Sequence, residues 1–262
     1  MIVLKALVLG IVEGVTEFLP ISSTGHLIVA SALVNYPAAS RATFDIFIQL
    51  GAILAVVWHY RVHLSALVSR APSDVGARAL IGKVLLAFMP AAVAGFLFHR
   101  AIEAHLFSPT VVALTLIIGG VIIIVAERRA WRFRVHTIEA AGWMQAWWVG
   151  MAQVLSLIPG VSRSAATILG GMFAGIDRPA AAQFSFYLSI PTLCAASGYS
   201  LFKARHLLVA ADIVPLAVGF VAAFISALTV VRAFISFIQR HDFSGFGYYR
   251  IVIGLLILLI LR

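Results

Sequence analysis

The chain has 262 residues, of which 62% are hydrophobic and only 11% are charged, and its mean hydropathy is +1.05. A soluble domain of this size does not need so much apolar surface, so the composition indicates a polytopic membrane protein. The net charge of +9 does not indicate nucleic-acid binding, because the 19 Lys and Arg residues are spread among loops. The single cysteine, Cys194, excludes an internal disulfide.

The first predicted element is an interrupted apolar segment. Residues 2–12 are too short to cross a hydrocarbon core of about 30 Å, which needs roughly 20 residues. A polar stretch follows at 13–24 with Pro20 inside it, and a second short apolar stretch covers 27–34. Two half-length helices around a polar break predict a re-entrant hairpin, with a single bent span as the alternative. No small-residue cleavage site follows the first apolar stretch, so we expect the N-terminus to be retained.

Three segments of nearly full spanning length come next, at 44–60, 80–98 and 109–126. The loop after the first of them and the loop after the third are both rich in Lys and Arg. Two spans separate these loops, so they share a side of the membrane, and their charge makes that side cytoplasmic.

The second half of the chain repeats this order. A polar break at 156–164 lies between the apolar stretches 143–155 and 165–176, and further spans are predicted at about 181–201, 213–235 and 247–261. Because each half has an odd number of full spans, the second half should be inverted relative to the first. We therefore predict an all-α integral membrane fold of six full spans and two re-entrant hairpins. It would form one domain, 1–262, with repeats 1–126 and 143–262 joined by a basic cytoplasmic linker, 127–142.

Two short sequence echoes support this repeat. Gly10-x-x-Glu13 resembles Gly150-x-x-Gln153, and Pro20-x-x-Ser23 resembles Pro159-x-x-Ser162. Interrupted segments at corresponding positions of inverted halves are typical of transporters with a site at the bilayer midplane. We expect the tips of the two hairpins to meet there.

The first break carries two carboxylates and several hydroxyl groups. Glu13 and Glu17 are four residues apart and share a helix face, which suits a divalent metal or an acid/base role. Ser22, Ser23 and Thr24 exceed what one helix N-cap requires, and a helix N-terminus is a natural phosphate site. His26, three residues after Ser23, is placed to exchange a proton with its hydroxyl or with a leaving group.

The second break contains Arg163 inside an apolar stretch. A guanidinium at this depth needs an anionic partner and fits a phosphate bidentately. Its neighbours Ser162, Ser164 and Thr167 add hydroxyl donors. The alternative partner is Glu13 or Glu17 in an internal ion pair, which does not exclude phosphate binding.

Other polar positions are less informative. Asp45 and Gln49 lie one turn apart and are candidates for lining the site, whereas Ser185 and Ser189 are better explained as hydroxyls that join helices. The simplest interpretation of Arg250 is a side chain that reaches a membrane interface. Taken together, the two breaks hold the parts for phosphoryl transfer at a lipid-accessible site. The alternative is a lipid or ion transporter. A transporter would not require a nucleophile next to a general base, which these residues supply.

The chain resembles the undecaprenyl-pyrophosphate phosphatase family of bacteria, also called bacitracin-resistance protein BacA or UppP. The resemblance rests on residues 13–26, EGVTEFLPISSTGH, and 159–164, PGVSRS. Shorter stretches at 49–56, 184–186 and 249–251 support it, and it covers essentially the whole chain.

The resemblance implies an enzyme of the bacterial inner membrane that converts undecaprenyl pyrophosphate to undecaprenyl phosphate, the lipid carrier for cell-wall synthesis. It also implies a link to bacitracin, a divalent cation (Mg²⁺ or Ca²⁺) and a site open to the extracytoplasmic side. The expected partners are the polyprenyl pyrophosphate and the bilayer, without nucleic acid, and a homodimer is left open.

The family motifs also imply roles for individual residues. Glu13 and Glu17 would bind the metal, Glu17 would assist proton transfer, and Ser23 would be the nucleophile, with water activated by Glu17 or His26 as the alternative. Arg163 would hold the pyrophosphate. The remaining phosphate contacts would come from hydroxyls at both tips: Ser22, Thr24, Ser162, Ser164 and Thr167.

Overall fold

The computed structural model describes residues 1–129, 131–204 and 213–260, and within them the chain forms eleven α-helices. They are α1 (Ile2–Thr16), α2 (Ser23–Leu33), α3 (Ala38–His59), α4 (Arg61–Arg70), α5 (Val75–Leu106), α6 (Pro109–Glu127), α7 (Trp143–Val154), α8 (Arg163–Phe173), α9 (Arg178–Ala204), α10 (Ile213–Ile238) and α11 (Ser244–Ile260). Residue 130 of the predicted linker and residue 261 of the predicted last span lie outside the described residues. The predicted all-α membrane class is confirmed.

The six predicted spans coincide with six of these helices. Among the described residues, α3, α5, α6 and α10 are long and apolar enough to cross a membrane. Helix α9 has 27 residues, and its buried Ser185, Ser189 and Ser197 face protein instead of lipid. Helix α11 has 17 residues, a length of about 26 Å at 1.5 Å per residue. The predicted order of elements therefore holds, and α4 is an additional helix inside the first predicted basic loop.

Both predicted hairpins are present, but the first break is shorter than expected. Helix α1 continues to Thr16, so Glu13 is helical, and the break covers only 17–22. In the second hairpin a short 3₁₀ turn, Leu155–Leu157, precedes the break.

The residues that precede the second helix of each hairpin have the same unusual backbone. Ser22 before α2 has φ +70° and Ser162 before α8 has φ +75°, a left-handed conformation that non-glycine residues rarely adopt. Ser22 therefore corresponds to Ser162, in the same register as Gly10 with Gly150. The predicted echo of Ser23 with Ser162 is wrong by one residue. These correspondences support the predicted repeat.

Each hairpin packs on a helix from the other half of the chain. Helix α1 packs along α10 and α7 along α5. Gly10 faces the carbonyl oxygen of Gly219, and Gly150 faces that of Ala87, with no space for a Cβ at either glycine. Small residues allow membrane helices to approach closely, so these glycines interlock the two halves and fix the positions of the hairpin tips.

The two basic segments lie at the same end of the molecule, as predicted. Lys83 Nζ in α5 donates to the Glu139 carbonyl oxygen at 3.1 Å, and His63 Nε2 in α4 is 3.7 Å from Glu139 Oε1. Asp74 caps α5 at this end, where the N–H groups of Ala77 and Gly76 donate to its carboxylate and lower its pKa.

Candidate active site

The tips of the two hairpins are in direct contact. Ser164 Oγ at the start of α8 donates to the Leu19 carbonyl oxygen in the first break at 2.7 Å. Arg163 Nη2 donates to Glu17 Oε1 at 3.1 Å. The predicted meeting of the two breaks is confirmed, and of the two ion pairs that the sequence leaves open the structure contains the one with Glu17.

Glu17 connects a hydroxyl to this guanidinium. Ser23 Oγ donates to Glu17 Oε2 at 2.5 Å, so both oxygens of the carboxylate are engaged. The side chains of Glu17 and Arg163 are only 6% and 8% exposed, so each charge depends on the other for compensation. The resulting line, Ser23–Glu17–Arg163, places a carboxylate acceptor against a hydroxyl, which is the arrangement that activates a hydroxyl nucleophile.

The guanidinium of Arg163 is held from several sides. Its Nη1 donates to the Ser185 carbonyl and hydroxyl oxygens at 3.2 and 3.3 Å, and its Cζ lies 5.5 Å from the centre of the Phe18 ring. Thr167 Oγ1 is 2.7 Å from Ser185 Oγ, which fixes that hydroxyl. The Nε–H of Arg163 is buried without a hydrogen-bond partner, so the guanidinium keeps one unused donor.

The predicted phosphate-binding hydroxyls do not share one environment. Ser162 Oγ accepts the Ala165 N–H at 3.2 Å and caps α8, while Ser164 and Thr167 are fully buried and engaged internally. Ser22 is buried, and Thr24 is exposed. The structure thus shows the hydroxyls of α8 supporting the break and Arg163, and their contact with phosphate stays a prediction.

His26 does not pair with Ser23. Its Nδ1 is 2.7 Å from the Ser22 carbonyl oxygen, which only accepts, so Nδ1 carries a hydrogen. Its Nε2 is 2.7 Å from the hydroxyl of Tyr249 in α11, and the two rings stack with centroids 5.5 Å apart. Glu17 therefore occupies the position beside Ser23 that the sequence suggests for His26.

A cavity of about 590 Å³ opens beside this line. The polar residues that line it come from three helices, α1 to α3, and from the residue that caps α6: Glu13, Ser23, Thr24, Arg41, Asp45, Gln49 and Ser108. The predicted placement of Asp45 and Gln49 at the site is confirmed. Glu17 and Arg163 do not line the cavity. Ser23 does line it, and its hydroxyl is hydrogen-bonded to Glu17, which in turn contacts Arg163. The cavity has apolar walls beside these groups, which suits a ligand with a charged head and a lipid tail.

Within the described parts of the chain, no group of three or more His, Cys, Asp or Glu side chains is arranged to hold a metal ion. Two carboxylates do face the cavity. Glu13 is 2% exposed and its Oε2 has no hydrogen-bond partner, and Asp45 Oδ1 is likewise buried and without a partner. Hard divalent cations prefer oxygen ligands of this type, so the donor set fits Mg²⁺ or Ca²⁺.

The predicted placement of Arg250 at a membrane interface is wrong. Arg250 is fully buried instead. Its guanidinium donates to five backbone carbonyl oxygens, those of Pro20, Thr115, Leu116, Gly160 and Val161. It thereby ties both breaks to α6. The glycine pair 119–120 in the facing helix was the only sequence signal, because a Cβ at Gly119 would meet the guanidinium.

Arg250→Met is expected to destabilise the protein strongly. Each buried carbonyl left without a donor costs about 1–3 kcal/mol, and several lose their donor at once. Gly119→Ala should lower the thermal unfolding temperature by the same route, because the added Cβ displaces the guanidinium. Gly198→Ala in α9 is the matched control, since a Cβ there has nothing within 4 Å. Unfolding temperatures of Gly119→Ala and Gly198→Ala that differ by less than about 1 °C would contradict this role.

Comparison with known proteins agrees with this geometry. The profile of the bacitracin resistance protein BacA family matches residues 6–256. The chain belongs to this family. A relative from Rhodospirillum rubrum, named undecaprenyl-diphosphatase 2, is 52% identical over 97% of this chain and 93% of its own length.

Two further relatives, both named undecaprenyl-diphosphatase, are similarly close. The protein of Dechloromonas aromatica is 51% identical over 98% of this chain and 94% of its own length. That of Aromatoleum aromaticum is 50% identical over 97% of this chain and 92% of its own length. The BacA match, residues 6–256, includes both breaks and most of α1 and α11, so every residue of the candidate site lies inside it.

Proposed function

We propose that this chain is an undecaprenyl-diphosphatase, which hydrolyses undecaprenyl diphosphate to undecaprenyl phosphate and inorganic phosphate. The observation that carries the proposal is the Ser23–Glu17–Arg163 line beside a partly apolar cavity. Membership of the BacA family and relatives of 50–52% identity named undecaprenyl-diphosphatase support it. The product is the lipid carrier used in cell-wall synthesis, and its recycling is the link to bacitracin resistance.

In the proposed reaction Ser23 is the nucleophile. Glu17 accepts the hydroxyl proton as Ser23 Oγ attacks the terminal phosphorus. The bond from that phosphorus to the bridging oxygen breaks, and undecaprenyl phosphate leaves. Water then attacks the phosphoserine, the Oγ–P bond breaks, inorganic phosphate leaves, and Glu17 returns its proton to Ser23 Oγ to restore the hydroxyl. Direct attack by water held at the same carboxylate is the alternative and needs the same residues.

The charge that develops on the phosphoryl oxygens requires donors fixed before the reaction. Arg163 supplies one, with its unpartnered Nε–H and a position set by Ser185. Ser23 and Thr24, at the start of α2, also line the cavity, and a helix N-terminus favours a phosphate there. His26 donates to the Ser22 carbonyl directly before the nucleophile, which gives it a positioning role in this proposal.

The proposal includes a divalent cation, Mg²⁺ or Ca²⁺, which would neutralise the pyrophosphate charge when bound. It also places the protein in the inner membrane with the basic end, which includes Arg61 and Arg128, in the cytoplasm. The cavity would then open to the extracytoplasmic side. The two-repeat organisation, 1–126 and 143–262, is part of the same proposal and is supported by the matching backbones of Ser22 and Ser162.

Phosphate release from undecaprenyl diphosphate by the purified protein in detergent tests the proposal. We expect release with Mg²⁺ or Ca²⁺ that stops when a chelator is added. Absence of release from folded protein with either metal would contradict the enzyme and favour the transporter alternative. The chelator tests the cation separately, because phosphate release that continues in chelator would overturn only the proposed requirement for a divalent cation.

A further inference from the structure

The cavity beside Ser23 contains two carboxylate oxygens without partners. Glu13 Oε2, from α1, is buried in a residue that is only 2% exposed. Asp45 Oδ1, from α3, is also buried without a partner and lines the same cavity. Unpartnered carboxylate oxygens are costly in an apolar environment, and two of them at one cavity repel each other. A cation between them removes both costs.

Glu17 is less suited to bind the divalent cation than its spacing from Glu13 in the sequence suggests. Its Oε1 accepts from Arg163 and its Oε2 accepts from Ser23, so a cation would have to displace one of these bonds. Its nearest charge is also the positive guanidinium of Arg163, which repels a cation. Asp45 also has a guanidinium nearby, since Arg41 Nε is 3.6 Å from its Oδ2, but these two side chains are 32% and 33% exposed and Oδ1 of Asp45 is left without a partner.

We propose that Asp45, together with Glu13, holds the divalent cation, and that Glu17 serves the nucleophile instead. This assignment rests on the proposed function for the identity of the substrate. Two carboxylates and the oxygens of a pyrophosphate are the usual ligand set for Mg²⁺ in phosphoryl-transfer sites. The absence of a third acidic ligand among the described residues therefore fits a cation that is completed by its substrate.

Binding of Mn²⁺, followed by its electron paramagnetic resonance signal, tests the assignment without turnover. The full-length protein in detergent is titrated with Mn²⁺ in the presence of methylenediphosphonate, whose P–C–P link is not hydrolysed. We expect Asp45→Asn and Glu13→Gln each to weaken Mn²⁺ binding at least about tenfold. Glu17→Gln should keep the affinity within about twofold while losing phosphate release. Glu139→Gln, at the far basic end, is the control and should bind like the parent protein.

Thermal unfolding provides a second readout. Asp45→Asn keeps the side-chain volume and removes a carboxylate whose Oδ1 has no partner, while the partly exposed ion pair with Arg41 contributes little, so its unfolding temperature in chelator should equal or exceed that of the parent. Added Mn²⁺ should stabilise the parent by mass action but not this variant. The assignment is overturned if Asp45→Asn binds Mn²⁺ like the parent, or if Glu17→Gln loses the ion. Since both readouts need no diphosphatase activity, their failure is distinct from failure of the proposed function.

Discussion

Arg163→Met is expected to abolish phosphate release and also to destabilise the fold. The substitution removes the donor to the phosphoryl group, a loss of about 10²–10³-fold in kcat for a single fixed donor. It also leaves the Glu17 carboxylate buried without its counter-charge, which costs about 3–5 kcal/mol. Activity and thermal unfolding measured on the same purified samples give the two effects.

A second substitution separates these two effects. Adding Glu17→Gln to Arg163→Met removes the stranded charge, so stability should recover by a large fraction, whereas activity should stay absent. Arg178→Met is a matched control, because Arg178 forms an ion pair with the buried Glu127 far from the cavity. It should lower stability while folded protein retains its kcat. If Arg163→Met kept normal turnover, the proposed line through Ser23 and Glu17 would be wrong.

Ser23→Ala is expected to reduce phosphate release by at least about 10³-fold, since removal of a catalytic nucleophile leaves only binding and charge stabilisation. Ser23 is the hydroxyl that both lines the cavity and donates to a carboxylate, at 2.5 Å. Rapid quenching of the parent protein with substrate labelled in the terminal phosphate should yield labelled phosphoserine at this position.

Ser189→Ala is the control for loss of a hydroxyl. Ser189 is fully buried and donates to the Phe186 carbonyl in its own helix at 2.6 Å, so its removal should leave release unchanged. Substantial release by Ser23→Ala, without labelled protein in the parent, would instead assign the attack to water. The contact between Glu17 and the attacking oxygen would then be tested by Glu17→Gln, with an expected loss of about 10²–10⁴-fold.

The sequence determined the membrane class, the order of spans and the two interrupted segments. These features follow from local composition, because a segment of about 20 apolar residues matches the hydrocarbon core and a polar break cannot face lipid. The charge of the loops was also sufficient to place both basic segments at one end, which the contacts of Glu139 confirm. The same reasoning singled out Glu13, Glu17 and Arg163 as candidate site residues, since charge at membrane depth is costly.

Only the tertiary structure decided which of these groups pair. Hydropathy and helical spacing describe neighbours along the chain, whereas Arg163 meets Glu17 and His26 meets Tyr249 across the whole fold. The burial of Arg250 depends on five carbonyls from α6 and both breaks, and these come together only when the halves interlock. The positions of the helices therefore follow from local composition, because each segment must match either the hydrocarbon core or a polar environment. The separate roles proposed for Glu13 and Glu17 rest on the packing of the hairpin tips, which engages both oxygens of Glu17 and leaves Oε2 of Glu13 without a partner.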